Sequence, residues 1–140
     1  MQFKSILLLS ALLITGCTSS YKQAFTGTWA RVYTDVDGEA ISSFCLVLKQ
    51  DGNKVNGYHF RALAKGTRID EAIGNNSIEG TIEDGVAIVS IKSGRGAKVA
   101  GTAKLEIITN DSIRFTLLEE PSQGEHALPS KMNLPKYNIQ

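Results

Sequence analysis

"SIEGTIEDGVAIVSIK", residues 77–92, carries the pattern from which the fold is read. Ile78, Gly80 and Ile82 fall on one face of an extended chain, and Glu79, Thr81 and Glu83 fall on the other. That period of two is the alternation of side chains along a strand. Asp84-Gly85 then supplies the residues of a tight hairpin turn before the next strand. "KVAGTAKLEIITNDSIRFTLLE", residues 98–119, repeats the device. Val99, Gly101, Ala103, Leu105 and Ile107 face one way, Lys104 and Glu106 face the other, and Asn110-Asp111 turns the chain into Ile113, Phe115 and Leu117. One buried and one wet face is the mark of an antiparallel sheet.

Working outward, "CLVLKQDGNKVNGYHF" places Asp51-Gly52-Asn53 between two further strands. Eight strands are predicted, over 27–34, 42–50, 54–64, 76–82, 85–92, 98–108, 112–118 and 125–134. Short links make neighbours in sequence neighbours in the sheet. The expected fold is therefore all-β, an eight-stranded antiparallel up-and-down barrel, whose closure removes exposed strand edges. The single helix candidate is "TRIDEAIG", 67–74, with Thr67 as cap, Asp70 completing a capping box and Gly74 ending the turn. Glycines recur inside or at the start of strands in "FTGTW", "VNGYH", "IEGTI" and "VAGTA". They mark either bends of a curved sheet or missing side chains that open an interior pocket.

At the N-terminus, Lys4 precedes the apolar run "SILLLSALLI". The run is too short for a membrane-spanning helix, which takes about 20 residues. A charge, a short apolar run and small residues ahead of a cut site make a secretory signal. The run ends in Ile14-Thr15-Gly16-Cys17, which resembles the lipobox of bacterial lipoproteins. That resemblance implies removal of residues 1–16, acylation of Cys17 and a short tether over 17–26, with the single barrel domain spanning 27–140. In such proteins two or three acyl chains are attached, and two or more give stable anchoring. Thr18 stands where an aspartate retains lipoproteins at the inner membrane, so the implied location is the outer membrane, facing the periplasm.

Removing the leader takes Lys4 away and reduces the 15 basic residues to 14, against 14 acidic ones. A near-neutral chain of this kind is not expected to bind nucleic acid, which is gripped by many Lys and Arg contacts to phosphate. With Cys17 acylated, Cys45 is the one thiol left, so no internal disulfide is expected and Cys45 reads as a small buried hydrophobe. His59 and His126 are the only histidines, and no cluster has metal-ligand spacing; no metal or cofactor is expected.

Gly27-Thr28-Trp29 resembles the G-x-W opening of the lipocalin and fatty-acid-binding barrels, in which the tryptophan closes one end. The likeness extends loosely over residues 25–134. It implies a pocket for a small apolar ligand lined by Trp29, Val55, Ile78, Ile82, Val99, Ala103, Leu105, Ile107, Phe115 and Leu117, unless the same side chains fill the interior. Lipocalins also pack a late arginine on the tryptophan. Arg114 is the candidate by position, yet its alternation with Ile113 and Phe115 sends it outward.

"KSGRGAKV", 92–99, resembles the S-G-A-[KR]-Y loop of the membrane-bound lysozyme inhibitors, which are also small lipoprotein barrels. Gly96, Ala97 and Lys98 match, Arg95 replaces the serine and Val99 the tyrosine. The resemblance implies a loop that enters an acidic cleft of a protein partner. Independently, Lys92, Arg95 and Lys98 place three positive charges on one glycine-rich loop, suited to pairing with carboxylates.

No nucleophile elbow, metalloprotease motif or phosphate loop is present, and Glu119, Glu120, Glu125 and His126 read as a solvated turn. The expectation is a binding protein and not an enzyme. Its partner is either a small apolar ligand inside the barrel or an envelope protein blocked through the loop 92–99.

Overall fold

The computed structural model describes residues 24–72 and 76–138; Cys17, the leader and most of the tether lie outside them. Nine strands form one antiparallel sheet: β1 (Gly27–Thr34), β2 (Ala40–Asp51), β3 (Lys54–Leu63), β4 (Arg68–Glu71), β5 (Ile78–Glu83), β6 (Val86–Ile91), β7 (Gly101–Thr109), β8 (Ser112–Glu119) and β9 (Lys131–Pro135). Their order is β1-β2-β3-β5-β6-β7-β8-β9, with β4 paired to β3 beside this path. The eight ordered strands curl until β9 meets β1. A bridge between Trp29 and Lys136 and a hydrogen bond from the Tyr137 N–H to the Thr28 carbonyl (2.8 Å) join the two. The result is a nearly closed up-and-down barrel, lipocalin-like in architecture.

Local chemistry explains the corners. Asp84 and Gly85 take φ of 50° and 77°, the paired positive values of a hairpin turn whose twist matches that of its strands. Within the strands, a Cβ added to Gly57 would lie 1.9 Å from the Val47 carbonyl oxygen, and one added to Gly80 would lie 2.1 Å from that of Ile88. Both glycines sit where neighbouring backbones close in as the sheet bends, so the curvature reading of these glycines holds.

The region 67–74 departs from the sequence expectation. Residues 68–71 form strand β4, with Asp70 opposite Arg61 and Glu71 opposite Phe60. Thr67, read as a helix cap, instead ends a three-residue 3-10 turn at 64–66, its Oγ1 donating to the Ala64 carbonyl (2.9 Å). The upper half of β3 needs a partner because β5 pairs only with its lower half, Lys54–Gly57, and this ladder overrides the capping signals. Gly74 lies outside the described residues. Two strands are also shorter than expected: β7 begins at Gly101, and the last strand covers Lys131–Pro135.

Directions follow from the order. The turns at 52–53, 84–85 and 110–111 lie at one end, where the chain also enters β1; this is the near end. The connections 35–39, 64–67, 92–100 and 120–130 lie at the other, the far end. Between them, Trp29, Phe44, Leu46, Val55, Ile78, Val89, Ile91, Leu105, Ile113, Phe115 and Leu134 form one buried apolar cluster. Phe44 meets Phe115 edge to face with ring centroids 5.0 Å apart, a favoured aromatic geometry.

Candidate functional site

Most side chains of the expected pocket lining are buried. Trp29, Ile78, Ala103, Leu105 and Phe115 are 0 % exposed, Val55 is 1 % and Ile82 is 9 %. A void wide enough for water would leave accessible surface on the side chains around it, and these have almost none. No water-sized space therefore opens against these side chains, and they form the core instead of lining a pocket. Ile107 and Leu117 are half-buried at its margin. Val99, placed in the lining by alternation, is 43 % exposed instead. It precedes β7 and belongs to the far-end loop, where its N–H bonds the Ser122 carbonyl (3.1 Å).

The near end is closed by Trp29, whose indole Nε1 donates to the Phe25 carbonyl (2.9 Å). The cation over its ring is Lys136, Nζ 5.3 Å from the centroid. Arg114 points outward, as its alternation requires, and its Nε donates to Asn133 Oδ1 (3.1 Å).

A network that the sequence did not announce closes the far end. Asp70 is fully buried, and its carboxylate accepts four hydrogen bonds. His59 Nε2 gives 3.0 Å, Ser93 Oγ 2.7 Å, the Gly94 N–H 2.7 Å and the Ala127 N–H 2.8 Å. Burial works to raise the carboxyl's pKa, but the bonds from His59, Ser93, Ala127 and Gly94 outweigh it and hold the group ionised, well below the usual carboxylate range. One side chain thus ties β3, β4 and both long far-end loops together. Leu128, next to Ala127, joins the core cluster and plugs the barrel from this side.

His59 Nδ1 in turn meets Ser77 Oγ (2.8 Å), which completes a Ser77-His59-Asp70 relay in hydrogen-bond contact. Its donor and acceptor roles agree: Nε2–H donates to Asp70, and Nδ1 accepts from a hydroxyl that itself accepts the His59 main-chain N–H (3.1 Å). A nucleophilic triad needs an approachable serine and donors for a developing oxyanion. Ser77 is 2 % exposed, and the relay works as a buried fastening. The signal for it was two separated polar residues, His59 and Asp70, on the inward faces of strands; only the register that pairs β4 with β3 makes them neighbours.

The loop 92–99 is fastened rather than free. Arg95 Nη2 pairs with Glu125 Oε2 (2.9 Å) and Nη1 donates to the Ile69 carbonyl (3.2 Å), so this cation already has a carboxylate partner at the surface. Lys92 and Lys98 remain exposed. His126 Nε2 lies 3.8 Å from Glu120 Oε2, and Nδ1 accepts the Leu128 N–H (3.2 Å). Cys45 is half-buried on the outer wall of β2 rather than in the core, and burial raises its thiol pKa, which makes it a poor nucleophile.

Exposed apolar side chains gather at the same end. Among the described residues, seven of the ten large ones, Val32, Tyr33, Val36, Ile41, Ile69, Val99 and Leu118, lie on far-end loops or strand halves. Val32 and Ile69 end one cross-strand row, Val32-Ser43-Ala62-Ile69, over β1 to β4. Lys65 braces the neighbouring loop through Asp35 and Glu39, each 3.0 Å from its Nζ. Among the described residues no three His, Cys, Asp or Glu side chains assemble as a metal site. Compared with protein-family models, with curated proteins and with solved structures, the chain matches none.

Proposed function

We propose that this protein is a lipid-anchored binding protein of the bacterial envelope, held in the outer membrane through Cys17 and presenting the far end of its barrel to a protein partner in the periplasm. The observation that carries this reading is the filled interior. The side chains that would line a pocket for a small apolar ligand are the core, which favours a protein partner over a guest molecule. The distribution of exposed apolar residues, more of which lie at the far end than at the near end, supports the same end.

Orientation supports it as well. The chain enters the barrel at the near end, and Cys17 lies seven residues before Ala24, at most about 25 Å when fully extended. An acylated Cys17 holds the near end close to the membrane and turns the far end away from it. Lys92 and Lys98 remain available there for a partner's carboxylates, the inhibitor or immunity-type mode of action. The alternative is a lipocalin-like carrier, which requires the core to open.

Site-specific photo-crosslinking in living cells tests the proposal on the full chain. Crosslinkers at Val36, Ile41 or Lys98 are expected to trap one defined envelope protein, and a crosslinker at Asp84, at the near end, is expected to trap none. Equal trapping from both ends, or trapping of none from either, contradicts it.

A further inference from the structure

The barrel seam holds a second feature that neither the core nor the far-end network uses. β1 and β9 join at Trp29 and Lys136, but above that point they diverge. The gap is a solvent-open cleft of about 540 Å3 lined by Arg31, Tyr33, Arg114, Lys131, Met132 and Asn133.

Asn133 organises its two arginines. Its main-chain carbonyl accepts from Arg31 Nε (2.7 Å), and its side-chain carbonyl accepts from Arg114 Nε (3.1 Å). Each guanidinium is thereby fixed through Nε, and its terminal nitrogens have no hydrogen-bond partner among the described residues. Lys131 stands at the rim. Behind Met132 lies Arg61, only 9 % exposed, its Nη1 3.9 Å from the Met132 Sδ and its Nε without a protein hydrogen-bond partner. Arg31 and Arg61 flank Phe44 in one inward-facing cross-strand row.

Among the described residues none of these four cations has a carboxylate within ion-pairing distance. The nearest by register are already engaged. Glu106, opposite Arg114, pairs with Lys104 (3.4 Å), and Asp70, opposite Arg61, is bound by His59, Ser93, Gly94 and Ala127. Four like charges gathered without a counterion repel one another, the more so where one is buried. Two pre-oriented guanidinium forks match the paired oxygens of carboxylates and phosphates.

We propose that the seam cleft binds a small soluble ligand carrying adjacent oxyanion groups, either carboxylates or phosphates, between the free ends of Arg31 and Arg114. This site adjoins the partner surface proposed above at Tyr33, but small-anion binding between the two arginines stands or falls without that partner. Its position in the far half of the barrel, away from the proposed anchor, points to a soluble anion and not to the headgroups of the anchoring leaflet.

Isothermal titration of the full chain in a neutral detergent tests the site, with citrate and pyrophosphate as separate probes. At least one probe is expected to bind, and which one identifies the oxyanion. Arg114→Gln is expected to weaken that binding at least tenfold. Asn133→Ala, which changes no charge and keeps the main-chain carbonyl that holds Arg31 but frees the Arg114 guanidinium, is expected to weaken it at least threefold. The double variant Lys49→Gln/Lys54→Gln, which removes two cations from the near half, is expected to leave it unchanged. Thermal melts of each variant check that the barrel remains folded. Binding of neither probe, or an equal loss in the Lys49/Lys54 control, overturns the proposal. So does an unchanged affinity in a folded Asn133→Ala variant, because attraction by net charge alone does not depend on how the Arg114 guanidinium is held.

Discussion

Among the described residues, the Asp70 carboxylate gathers more side-chain hydrogen bonds than any other side chain. Four hydrogen bonds converge on a carboxylate with no exposure, and they come from three separate parts of the chain. Replacing it with asparagine puts an NH2 group against donors and removes the charge they stabilise. Asp70→Asn is expected to reduce unfolding stability by about 3 kcal/mol at neutral pH, because buried donors that met a carboxylate are left facing an NH2 group. Because the folded-state pKa lies below that of the unfolded chain, about 3.9, this stabilisation is present above pH 4 and disappears as the pH falls below it. Urea unfolding of both proteins between pH 7 and pH 2 checks this: the stability gap narrows on acidification, and a constant gap refutes the assignment. In the sequence Asp70 looked like half of a capping box, because local spacing favours that reading and the competing partners lie 11, 23 and 57 residues away. Trp29 was legible for the opposite reason, since a large apolar side chain at the start of a strand has few places to go except the core.

Strands were readable to the extent that their two faces differ. β5 to β8 alternate apolar with polar, and their registers emerge as the alternation requires, with Ile82 opposite Ala87 and Leu105 opposite Phe115. β4 is four residues long, too short for a period to appear, and exists because the upper half of β3 would otherwise be an open edge. The loops 92–100 and 120–130 were mistaken in part for strand because Val99 and the 125–134 segment continue the apolar pattern. In fact they touch through two isolated bridges, Gly96 with Glu125 and Val99 with Ser122. Glycines within strands are the element-scale feature most open to test. A methyl group on Gly80 would fall 2.1 Å from the Ile88 carbonyl oxygen and 2.6 Å from the Val89 Cα, both backbone atoms that cannot step aside. Gly80→Ala is expected to destabilise the barrel by about 1–3 kcal/mol, the range for overpacked sites. Gly38→Ser meets no atoms but keeps a backbone φ of 84°, so its cost is confined to that left-handed conformation in an exposed loop and is expected to be smaller in the same thermal melt.

At the scale of the molecule, the two ends differ. The near end is closed by Trp29 under Lys136; the far end is plugged by Leu128, tied by Asp70 and surrounded by exposed apolar side chains. If the near end faces the membrane through an acylated Cys17, then Cys17→Ala is expected to move the protein from the membrane to the soluble fraction of a fractionated bacterium and to abolish labelling with radioactive palmitate. A variant that stays in the membrane and takes up label refutes the anchor. The partner's identity was not legible, because surfaces that recognise proteins have no short motif, and the likeness of the loop 92–99 to an inhibitor loop covers few residues. The filled interior was equally hidden, since the same apolar residues line a hollow barrel or pack a solid one, and only their exposure separates the two. A native mass spectrum of residues 18–140 purified from a bacterial periplasm tests that central claim most directly. A filled barrel gives the mass of the bare chain. A reproducible extra mass of a few hundred daltons, lost on denaturation, would contradict it and return the protein to the carriers of small apolar ligands.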